Sequence, residues 1–383
     1  MPRRLHAAAL TTALTALALL APSAQAQEMT RHFGSGSQRP LKVRSTTDIA
    51  IFAPVIEAFL SRNPDIAIDY EQWGSNALFD LSLAECKAAL SGQAQTGSED
   101  QADVVISSAV HQMVELVNLG CGTTFRSPQT SALAEPLRWR DELWGITREA
   151  AVVIYNRALV PPEDIPSTRF ALLDLLRPAG SPYAGRVATY DIEESGLGYL
   201  FAFKDSQEAS TFGALLESFD RSGAVATCCS AEIIDGVGDG RYLLAYNVLG
   251  SYALAAQDPR VGIVLPQDYT LVLSRAFMIP KHAFTPTAGG WEEDTSARAR
   301  AASFEAAAKL LDFLLSDEGV RALRSVHLIS ADLVPDAPET PISRSALRPI
   351  ELMPTLLVAR DTLTRNQFIA RWRDTFSQDG KSK

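Results

Sequence analysis

LWGITREAAVVIYN, at Leu143–Asn156, is the segment of this sequence that says most about its fold. It is rich in β-forming residues around Ala150, and its length predicts one extended segment. On both sides of it, short apolar strands alternate with amphipathic helices. We therefore interpret Trp144–Tyr155 as a segment that crosses between two lobes.

The alternation of strands and helices predicts an α/β fold, in which each lobe is a mostly parallel sheet flanked by helices. The strands that support this prediction are Leu41–Arg44, Ile66–Tyr70 and Asp103–Ser107 before the central stretch, and Arg186–Thr189 and Tyr242–Val248 after it. The chain without its first 26 residues has about 357 residues, more than one hydrophobic core usually serves, so two lobes are expected.

The expected division of the chain follows from these elements. We assign residues 41–147 and 270–383 to the first lobe and residues 148–269 to the second, with crossing hinge strands between them. Residues 27–40 are polar and rich in Gly and Ser, which predicts a flexible N-terminus.

The first 26 residues have the three parts of a secretory signal. Arg3 and Arg4 are followed by an apolar run from Ala7 to Ala21 and by small residues up to Ala26. This pattern predicts cleavage after Ala26 and a periplasmic protein. A membrane anchor is the alternative, but the run is shorter than the roughly 20 apolar residues that a bilayer requires.

The charge of the predicted mature chain restricts its partners. Cleavage removes two arginines and no acidic residue, which leaves 33 basic and 45 acidic residues and a net charge of −12. This balance argues against nucleic acid and against anionic membrane surfaces as partners. It does not exclude an anionic ligand, because the field in a pocket can oppose the net charge.

Four cysteines remain after cleavage. Cys86 and Cys121 flank one strand–helix unit and could pair, while Cys228 and Cys229 are adjacent and could form a vicinal bridge. Free, buried thiols are an equally good interpretation. The sequence has no CxxC and no Cys/His spacing that suggests zinc, so we expect no metal site.

Two polar turns follow strands of the first lobe, where ligands bind in open α/β sheets. Ser45-Thr46-Thr47-Asp48 follows the first strand, and Ser107-Ser108 follows the third. Their hydroxyls and backbone N–H groups suit an anion or a polyol, although ordinary helix capping uses the same groups.

Two further turns follow strands of the second lobe. One holds Thr189-Tyr190-Asp191 and then Ser195-Gly196, and the other runs from Asn247 to Ser251-Tyr252. Asp191 could accept ligand hydroxyls, Asn247 can donate and accept, and Tyr252 can stack or donate. These could also be plain strand–helix turns. Arg148 is a candidate counter-charge for a carboxylate or phosphate, or else part of a salt bridge.

The candidate ligand-binding residues are therefore Ser45, Thr46, Thr47, Asp48, Ser107, Ser108, Arg148, Thr189, Tyr190, Asp191, Ser195, Gly196, Asn247, Ser251 and Tyr252.

Catalytic patterns are weak. Ser195 lacks the GxSxG elbow, because Glu193 stands where the first Gly would be. The glycine-rich run at residues 236–240 follows a helix and precedes a strand, which is the wrong order for a dinucleotide site. We therefore expect no enzyme activity and no cofactor.

With these turns in place, the chain from Leu41 to Trp372 resembles the type II periplasmic solute-binding proteins of ABC importers, the group that includes ferric-iron and sugar-phosphate binders. The resemblance implies two lobes that close over a ligand held by the strand-end turns. Besides the central stretch, it is carried by VRSTTD (Val43–Asp48), ADVVISSA (Ala102–Ala109), SGLGYL (Ser195–Leu200), LLAYNVLGSYA (Leu243–Ala253) and LLDFLLSDEGVRAL (Leu310–Leu323).

One departure from the group concerns the cargo. Ferric binders of this group use two adjacent tyrosines in the second lobe, whereas this chain has Asn247-Val248 and Ser251-Tyr252 and no Tyr-Tyr pair. We therefore expect a monomer that captures a small organic anion (a phosphorylated sugar, phosphonate or carboxylate) for an ABC transporter permease. A ligand-sensing adaptor for a sensor kinase and a ferric-iron transport protein are the alternatives.

Overall fold

The computed structural model describes residues 27–36, 39–91, 100–208, 210–281, 295–330 and 347–376. The predicted signal peptide lies outside these residues. The strands are β1 (Gln27–Phe33), β2 (Leu41–Ser45), β3 (Ile68–Trp73), β4 (Val104–Ser107), β5 (Arg138–Trp139), β6 (Leu143–Gly145), β7 (Glu149–Asn156), β8 (Val187–Tyr190), β9 (Val225–Thr227), β10 (Leu244–Leu249), β11 (Val261–Val264), β12 (Thr270–Leu273), β13 (Ala276–Met278) and β14 (Leu347–Pro349).

The helices cover the faces of these sheets. They are α1 (Ile49–Arg62), α2 (Ser75–Leu90), α3 (Val110–Asn118), α4 (Pro128–Ala132), α5 (Arg169–Leu176), α6 (Gly196–Glu208), α7 (Phe212–Ser222), α8 (Ser230–Gly238), α9 (Gly250–Ala255), α10 (Thr295–Leu315), α11 (Asp317–Ser325) and α12 (Thr362–Phe376). In the part of the chain that the structure describes, no helix combines the length and the apolar character needed to span a membrane.

The strands form two seven-stranded sheets, one in each lobe, which confirms the predicted two-lobed α/β fold. The first sheet has the order β1-β3-β2-β4-β13-β6-β5, and the second has the order β14-β12-β7-β10-β8-β9, with β11 also paired to β7. Each sheet has a parallel part, β3-β2-β4 in the first and β10-β8-β9 in the second. The N-terminal strand β1 and the strands next to the crossings, such as β7 and β13, pair antiparallel with their neighbours. Both sheets are therefore more mixed than the sequence predicts.

The central stretch crosses between the sheets as predicted. It forms β6 in the first sheet and β7 in the second, with residues 146–148 between them. A second crossing, at Ser274 and Arg275, joins β12 to β13 and pairs with the first: Ile146 N donates to Arg275 O at 2.9 Å. A Cβ on Gly145 would lie 2.5 Å from Ser274 Oγ, so only glycine lets the two segments approach this closely.

The N-terminus departs from the predicted flexible segment. Gln27–Phe33 pairs antiparallel with β3 along the edge of the first sheet, and Phe33 is buried there. The segment is largely polar because residues 29–32 are all exposed. Its order comes from backbone pairing with a strand that is distant in sequence, and composition cannot report such pairing.

The C-terminus also differs from the expected division. β12 and β14 belong to the second sheet, and Ile369 and Trp372 of α12 pack into a core cluster of the second lobe. Residues 270–273 and 347–376 therefore lie with the second lobe rather than with the first. The sequence of α12 shows an apolar stripe but not the lobe against which that stripe packs. The parallel pairing of β14 with β12 places the C-terminal segment on the second lobe.

All four cysteines are paired. Cys86 in α2 bonds to Cys121 beyond α3, with an S–S distance of 2.05 Å, and both residues are buried. Cys228 bonds to its neighbour Cys229 just before α8. Of the two interpretations of the sequence, the structure therefore has the disulfides and not the free thiols.

Candidate functional site

A cavity of about 810 Å³ lies between the two lobes, at the carboxyl ends of the parallel strands. Residues from both lobes line it. The first lobe contributes Thr46, Asp48, Gln72, Trp73, Gly74, Ser75 and Ser108, and the second contributes Tyr190, Glu194, Ser195, Leu197, Cys228, Cys229, Ser230, Ala231, Leu249 and Tyr252, while Arg275 comes from the crossing.

The first-lobe wall consists of strand ends and helix starts. Thr46 and Asp48 lie between β2 and α1, Ser75 begins α2, and Ser108 lies between β4 and α3. The Thr46 and Ser108 hydroxyl oxygens are 3.2 Å apart, and Ser108 N donates to Thr46 Oγ1 at 2.9 Å, which fixes the two turns together. Backbone N–H groups in the first turn of a helix have no partner within that helix, so these helix starts offer donors to a ligand.

The second-lobe wall is built in the same way. Tyr190 ends β8, Ser195 precedes α6, and Ser230 begins α8. The Tyr190 hydroxyl lies 2.6 Å from Ser230 Oγ and accepts a hydrogen bond from Leu249 N at 3.1 Å. These bonds hold the ends of β8 and β10 against the start of α8.

Direct hydrogen bonds between the lobes close the cavity. Gly196 N donates to Ser75 Oγ at 2.8 Å, and Asn76 Nδ2 donates to Glu193 O at 2.8 Å. A Cβ on Gly196 would lie 2.9 Å from a side-chain nitrogen of Gln112, so glycine permits the close approach. The structure therefore represents a closed arrangement of the lobes.

A third interlobe contact joins Asp48 to Tyr252. Asp48 N donates to the Tyr252 hydroxyl at 3.1 Å, and that hydroxyl donates to Asp48 Oδ1 at 3.0 Å. Burial raises the pKa of Tyr252 and also that of Tyr190. Both side chains are therefore neutral phenols at ordinary pH.

The floor of the cavity is an ion pair at the crossing. Arg275 Nε donates to Glu149 Oε1 at 2.9 Å, and both side chains are almost fully buried. Thr147 Oγ1 and Ser251 Oγ also donate to the Glu149 carboxylate, at 2.6 and 2.5 Å. Burial acts to lower the pKa of Arg275, but the Glu149 carboxylate, with Tyr252 and Tyr70, acts against burial, and together these groups raise the pKa, so Arg275 remains a cation.

The structure brings six of the residues predicted from sequence to the cavity surface. They are Thr46, Asp48, Ser108, Tyr190, Ser195 and Tyr252. Five other predicted residues lie directly behind the wall. In the first lobe, Ser45 Oγ accepts a hydrogen bond from Thr47 N, Thr47 Oγ1 accepts one from Arg275 Nη1, and Ser107 Oγ accepts one from Ala109 N. In the second lobe, Gly196 N donates to Ser75 across the cleft, and Ser251 Oγ donates to the Glu149 carboxylate. Successive side chains of an extended segment point in opposite directions, so about half of each turn faces away.

Four predicted residues lie elsewhere. Thr189 Oγ1 donates to Tyr246 O, and Asp191 Oδ1 accepts from Glu193 N within its own turn. Asn247 has a φ of 57° at an irregularity in the pairing of β10 with β7, and its amide lies 3.4 Å from Asp205 inside the second lobe. Half-buried Arg148 pairs through its backbone with Leu328, on the far side of the crossing.

Sequence reasoning missed much of the wall. Gln72 and Trp73 end β3, and Gly74 and Ser75 follow it, so the strand-end rule would have found this turn if the strand predicted at Ile66–Tyr70 had been extended to Trp73. Cys228–Ala231 follows β9, a short strand that was not predicted, and Leu249 is an apolar residue within the predicted Asn247–Tyr252 turn. Arg275 carries no comparable signal, because only the packing of distant segments brings it to the cavity. Among the described residues, no group of three or more His, Cys, Asp or Glu side chains could hold a metal ion.

Comparison with known proteins agrees with this architecture. The chain is similar to the substrate binding protein of the ABC transporter from Agrobacterium tumefaciens, with 30% identity over 91% of this chain and 98% of that one, and a TM-score of 0.76. No family model matches the chain. No curated protein matches it either.

Two more distant structures share the fold alone. The periplasmic binding protein AfuA from Actinobacillus pleuropneumoniae, with fructose-6-phosphate bound, is 15% identical over 88% of this chain and 99% of that one, with a TM-score of 0.63. The apo ferric ion-binding protein A from Pasteurella haemolytica is 15% identical over 90% of this chain and 100% of that one, with a TM-score of 0.60.

Two α/β lobes, crossing strands and an interlobe cavity define a solute-binding protein of the type II periplasmic fold. The chain belongs to the substrate-binding proteins of ABC transporters. Its function is thus to bind a solute rather than to transform one.

Proposed function

We propose that this protein is a periplasmic monomer that captures a small organic anion and delivers it to the permease of an ABC transporter. The observation that carries the proposal is the convergence of helix starts on the cavity from both lobes. α2 and α3 begin on one side, and α6 and α8 begin on the other. Each helix N-terminus carries a partial charge of about +0.5, which favours an anion between them.

The charged side chains at the cavity are compatible with an anion. Arg275 is a cation, and its charge is balanced by Glu149 in the floor. Asp48 is also negative, but it lies at the start of α1 and accepts a hydrogen bond from Tyr252. Glu194 is exposed, so solvent screens its charge. The hydroxyls of Ser75, Ser108, Ser195 and Ser230, with the helix starts, therefore dominate the local chemistry.

The tyrosines of the cavity favour an organic cargo over ferric iron. Iron would require phenolate oxygens, but burial raises the pKa of Tyr190 and Tyr252. Both hydroxyls also take part in hydrogen bonds that build the cavity walls. Ionising Tyr252 would remove the proton that its hydroxyl donates to Asp48 Oδ1.

The size and the apolar surfaces of the cavity support an organic molecule. Its volume of about 810 Å³ lies in the usual range for sites of small organic ligands. Trp73, Leu197 and Leu249 add apolar surface beside the hydroxyls. We infer a cargo with an anionic group and a carbon framework, for which a phosphorylated sugar, a phosphonate and a carboxylate are all suitable classes.

Capture follows from closure of the lobes. The bonds from Gly196 to Ser75 and from Tyr252 to Asp48 exist only while the lobes are together. A solute that contacts both walls adds its own interactions to the closed state and shifts the population toward it.

Native mass spectrometry of the protein purified from periplasm tests the proposal. We expect a monomer that begins at Gln27 and carries a bound organic anion. A bound ferric ion with a visible tyrosinate absorption band, and no organic molecule, would contradict the proposal. A mass that includes residues 1–26 would contradict the export step.

A pair of neighbouring variants tests the site. We expect Ser108→Ala to weaken binding of the identified anion by about fivefold to tenfold, as for one lost hydrogen bond. Ser107→Ala is the matched control, because Ser107 lies behind the wall and should change the affinity little. Equal affinities for the two variants in isothermal titration would remove Ser108 from the site.

A further inference from the structure

The second-lobe wall contains a disulfide between adjacent residues. Cys228 and Cys229 both line the cavity; Cys228 is half-buried and Cys229 is exposed. The other disulfide, Cys86–Cys121, joins residues with relative exposures of 3% and 2% in the first-lobe core. One chain thus carries one disulfide that a solute can reach and one that it cannot.

We propose that Cys228–Cys229 is a thiol–disulfide exchange site within the ligand cavity, and that its reduction weakens capture of the solute. The chemical class of the reactant is a dithiol small enough to enter the cleft. The effect on capture rests on the proposed function, because it regulates the same cavity.

Exposure determines which sulfur is attacked. A thiolate must approach along the S–S axis, so a buried disulfide reacts only after the surrounding structure opens. Cys229 is exposed at the cavity, whereas both sulfurs of Cys86–Cys121 are enclosed in a packed core. Exchange is therefore expected at Cys229 and not at the other bridge.

The reaction balances in two steps. A thiolate of the dithiol attacks Sγ of Cys229, the S–S bond breaks, and its electron pair leaves on Sγ of Cys228, which takes a proton from water. The second thiolate of the reductant then attacks the mixed disulfide and releases Cys229 as a thiolate, which is protonated in turn. The protein gains two thiols, and the reductant leaves as a cyclic disulfide.

The position of the bridge connects this chemistry to binding. Cys229 directly precedes α8, and the next residue, Ser230, contacts the Tyr190 hydroxyl at 2.6 Å. The Tyr190 hydroxyl in turn accepts a hydrogen bond from Leu249 N at 3.1 Å, and all of these residues line the cavity. Opening the bridge frees the backbone at the start of α8 and loosens this wall, so the donors that α8 offers lose their fixed positions.

The test uses the mature protein as purified. It is treated with dithiothreitol without denaturant, alkylated with iodoacetamide and digested, and the labelled cysteines are counted by mass spectrometry over time. We expect Cys228 and Cys229 to be labelled at least about tenfold faster than Cys86 and Cys121, because exposure governs access. Equal rates for the two bridges, or no labelling before unfolding, would overturn the exchange site.

Capture is measured on the same samples by native mass spectrometry. We expect the reduced protein and a Cys228→Ser/Cys229→Ser variant to retain the co-purified anion about tenfold more weakly, as for a lost hydrogen bond in the site. A Cys86→Ala/Cys121→Ala variant that folds should retain it normally. Unchanged retention in both the reduced protein and the Ser variant would overturn the effect on capture.

The two proposals fail in different ways. If the oxidised protein carries no organic anion, the proposed cargo is wrong and the effect on capture is wrong with it. The labelling rates still decide whether Cys228–Cys229 is an exchange site.

Discussion

Arg169 and Arg275 are the two most deeply buried arginines among the described residues, and each is paired with a buried carboxylate. Arg169 lies inside the second lobe, where its Nε donates to Asp205 at 2.9 Å and its guanidinium lies over the Tyr269 ring at 3.5 Å. Tyr246 and Tyr269 donate their hydroxyls to the same carboxylate. Every member of this cluster belongs to one lobe.

Arg275 has the same chemistry in a different place. It pairs with Glu149 at the crossing, and its Nη1 donates to Thr47 Oγ1 of the first lobe at 3.0 Å. Ser251 of the second lobe binds the same carboxylate. Its partners are thus divided between the lobes, and the arginine also reaches the cavity.

The comparison shows that burial and pairing do not by themselves give a residue its role. An ion pair within one lobe fixes the structure of that lobe, because all its partners move together. An ion pair at the crossing fixes the relation of the two lobes and places Arg275 at the cavity. The following experiments separate these roles.

The largest expected effect is the loss of stability in Arg169→Met. The substitution leaves Asp205 buried without its cation, and we expect the free energy of unfolding in urea to fall by about 3–5 kcal/mol. Arg177→Met is the control, because the Arg177–Asp174 pair is exposed, with side-chain exposures of 68% and 67%. A loss no larger than that of the control would show that the buried pair contributes nothing.

Arg275→Met should have a smaller effect on unfolding and a larger one on binding. Arg275 lines the cavity, so water can reach Glu149 in the variant, and we expect a loss of about 2–3 kcal/mol in urea. We also expect the affinity for the co-purified anion to fall by about tenfold or more. Folded Arg169→Met protein should bind the co-purified anion with normal affinity in isothermal titration. Equal losses of affinity in the two variants would contradict the different roles of the two ion pairs.

A further interlobe contact, between His111 and Tyr199, is neutral and predicts a pH dependence. His111 of α3 is fully buried and stacks on Tyr199 of α6 at 5.4 Å, and its ring nitrogens have no hydrogen-bond partner among the described residues. Burial, followed by the charges of Arg360 and Arg365, lowers its pKa well below its ordinary value. The native state therefore holds His111 neutral, whereas the unfolded chain protonates it below about pH 6.5.

This difference gives the sign of the effect. The unfolded state binds the extra proton, so stability is lost as the pH falls below about 6.5, by roughly 1 kcal/mol per pH unit. We expect His111→Phe, which keeps the stacking, to flatten the dependence between pH 6.5 and 5. The same slope in His111→Phe and in the native protein, measured by urea titration at several pH values, would assign the effect to other groups.

The smallest expected effect is that of Tyr252→Phe. The variant loses only the hydroxyl that joins Asp48 across the cleft, which should cost the closed state about 0.5–1.5 kcal/mol. Isothermal titration should show a few-fold weaker affinity with little change in unfolding. Tyr155→Phe is the control, since Tyr155 lies in β7 away from the cavity, and a similar loss in this control would contradict the assignment.

Much of the fold could be predicted from the sequence because its signals are local. β7 is buried along nearly all of its length, so it is recognisable in the sequence as a continuous apolar run. The order of β1 and the placement of β14 could not be predicted, because each depends on pairing with a strand far away in sequence.

The candidate site was predicted in part, for the same reason. The strand-end rule identified turns that reach the cavity, but it could not tell which hydroxyl of Ser107 and Ser108 lines it. That choice depends on the register of β4 in its sheet, since one residue of slip reverses every side chain. Asn247 was misplaced because the irregularity in β10 turns it into the lobe interior.

Periodicity and composition, which are local, predict two α/β lobes, one extended stretch that crosses between them, and polar turns at the ends of the strands. Other features became visible only in the folded molecule: Arg275 reaches the cavity, one disulfide is exposed there while the other is buried, and the lobes meet through Gly196 and Ser75. Such facts depend on distances between segments far apart in the chain, and packing fixes those distances.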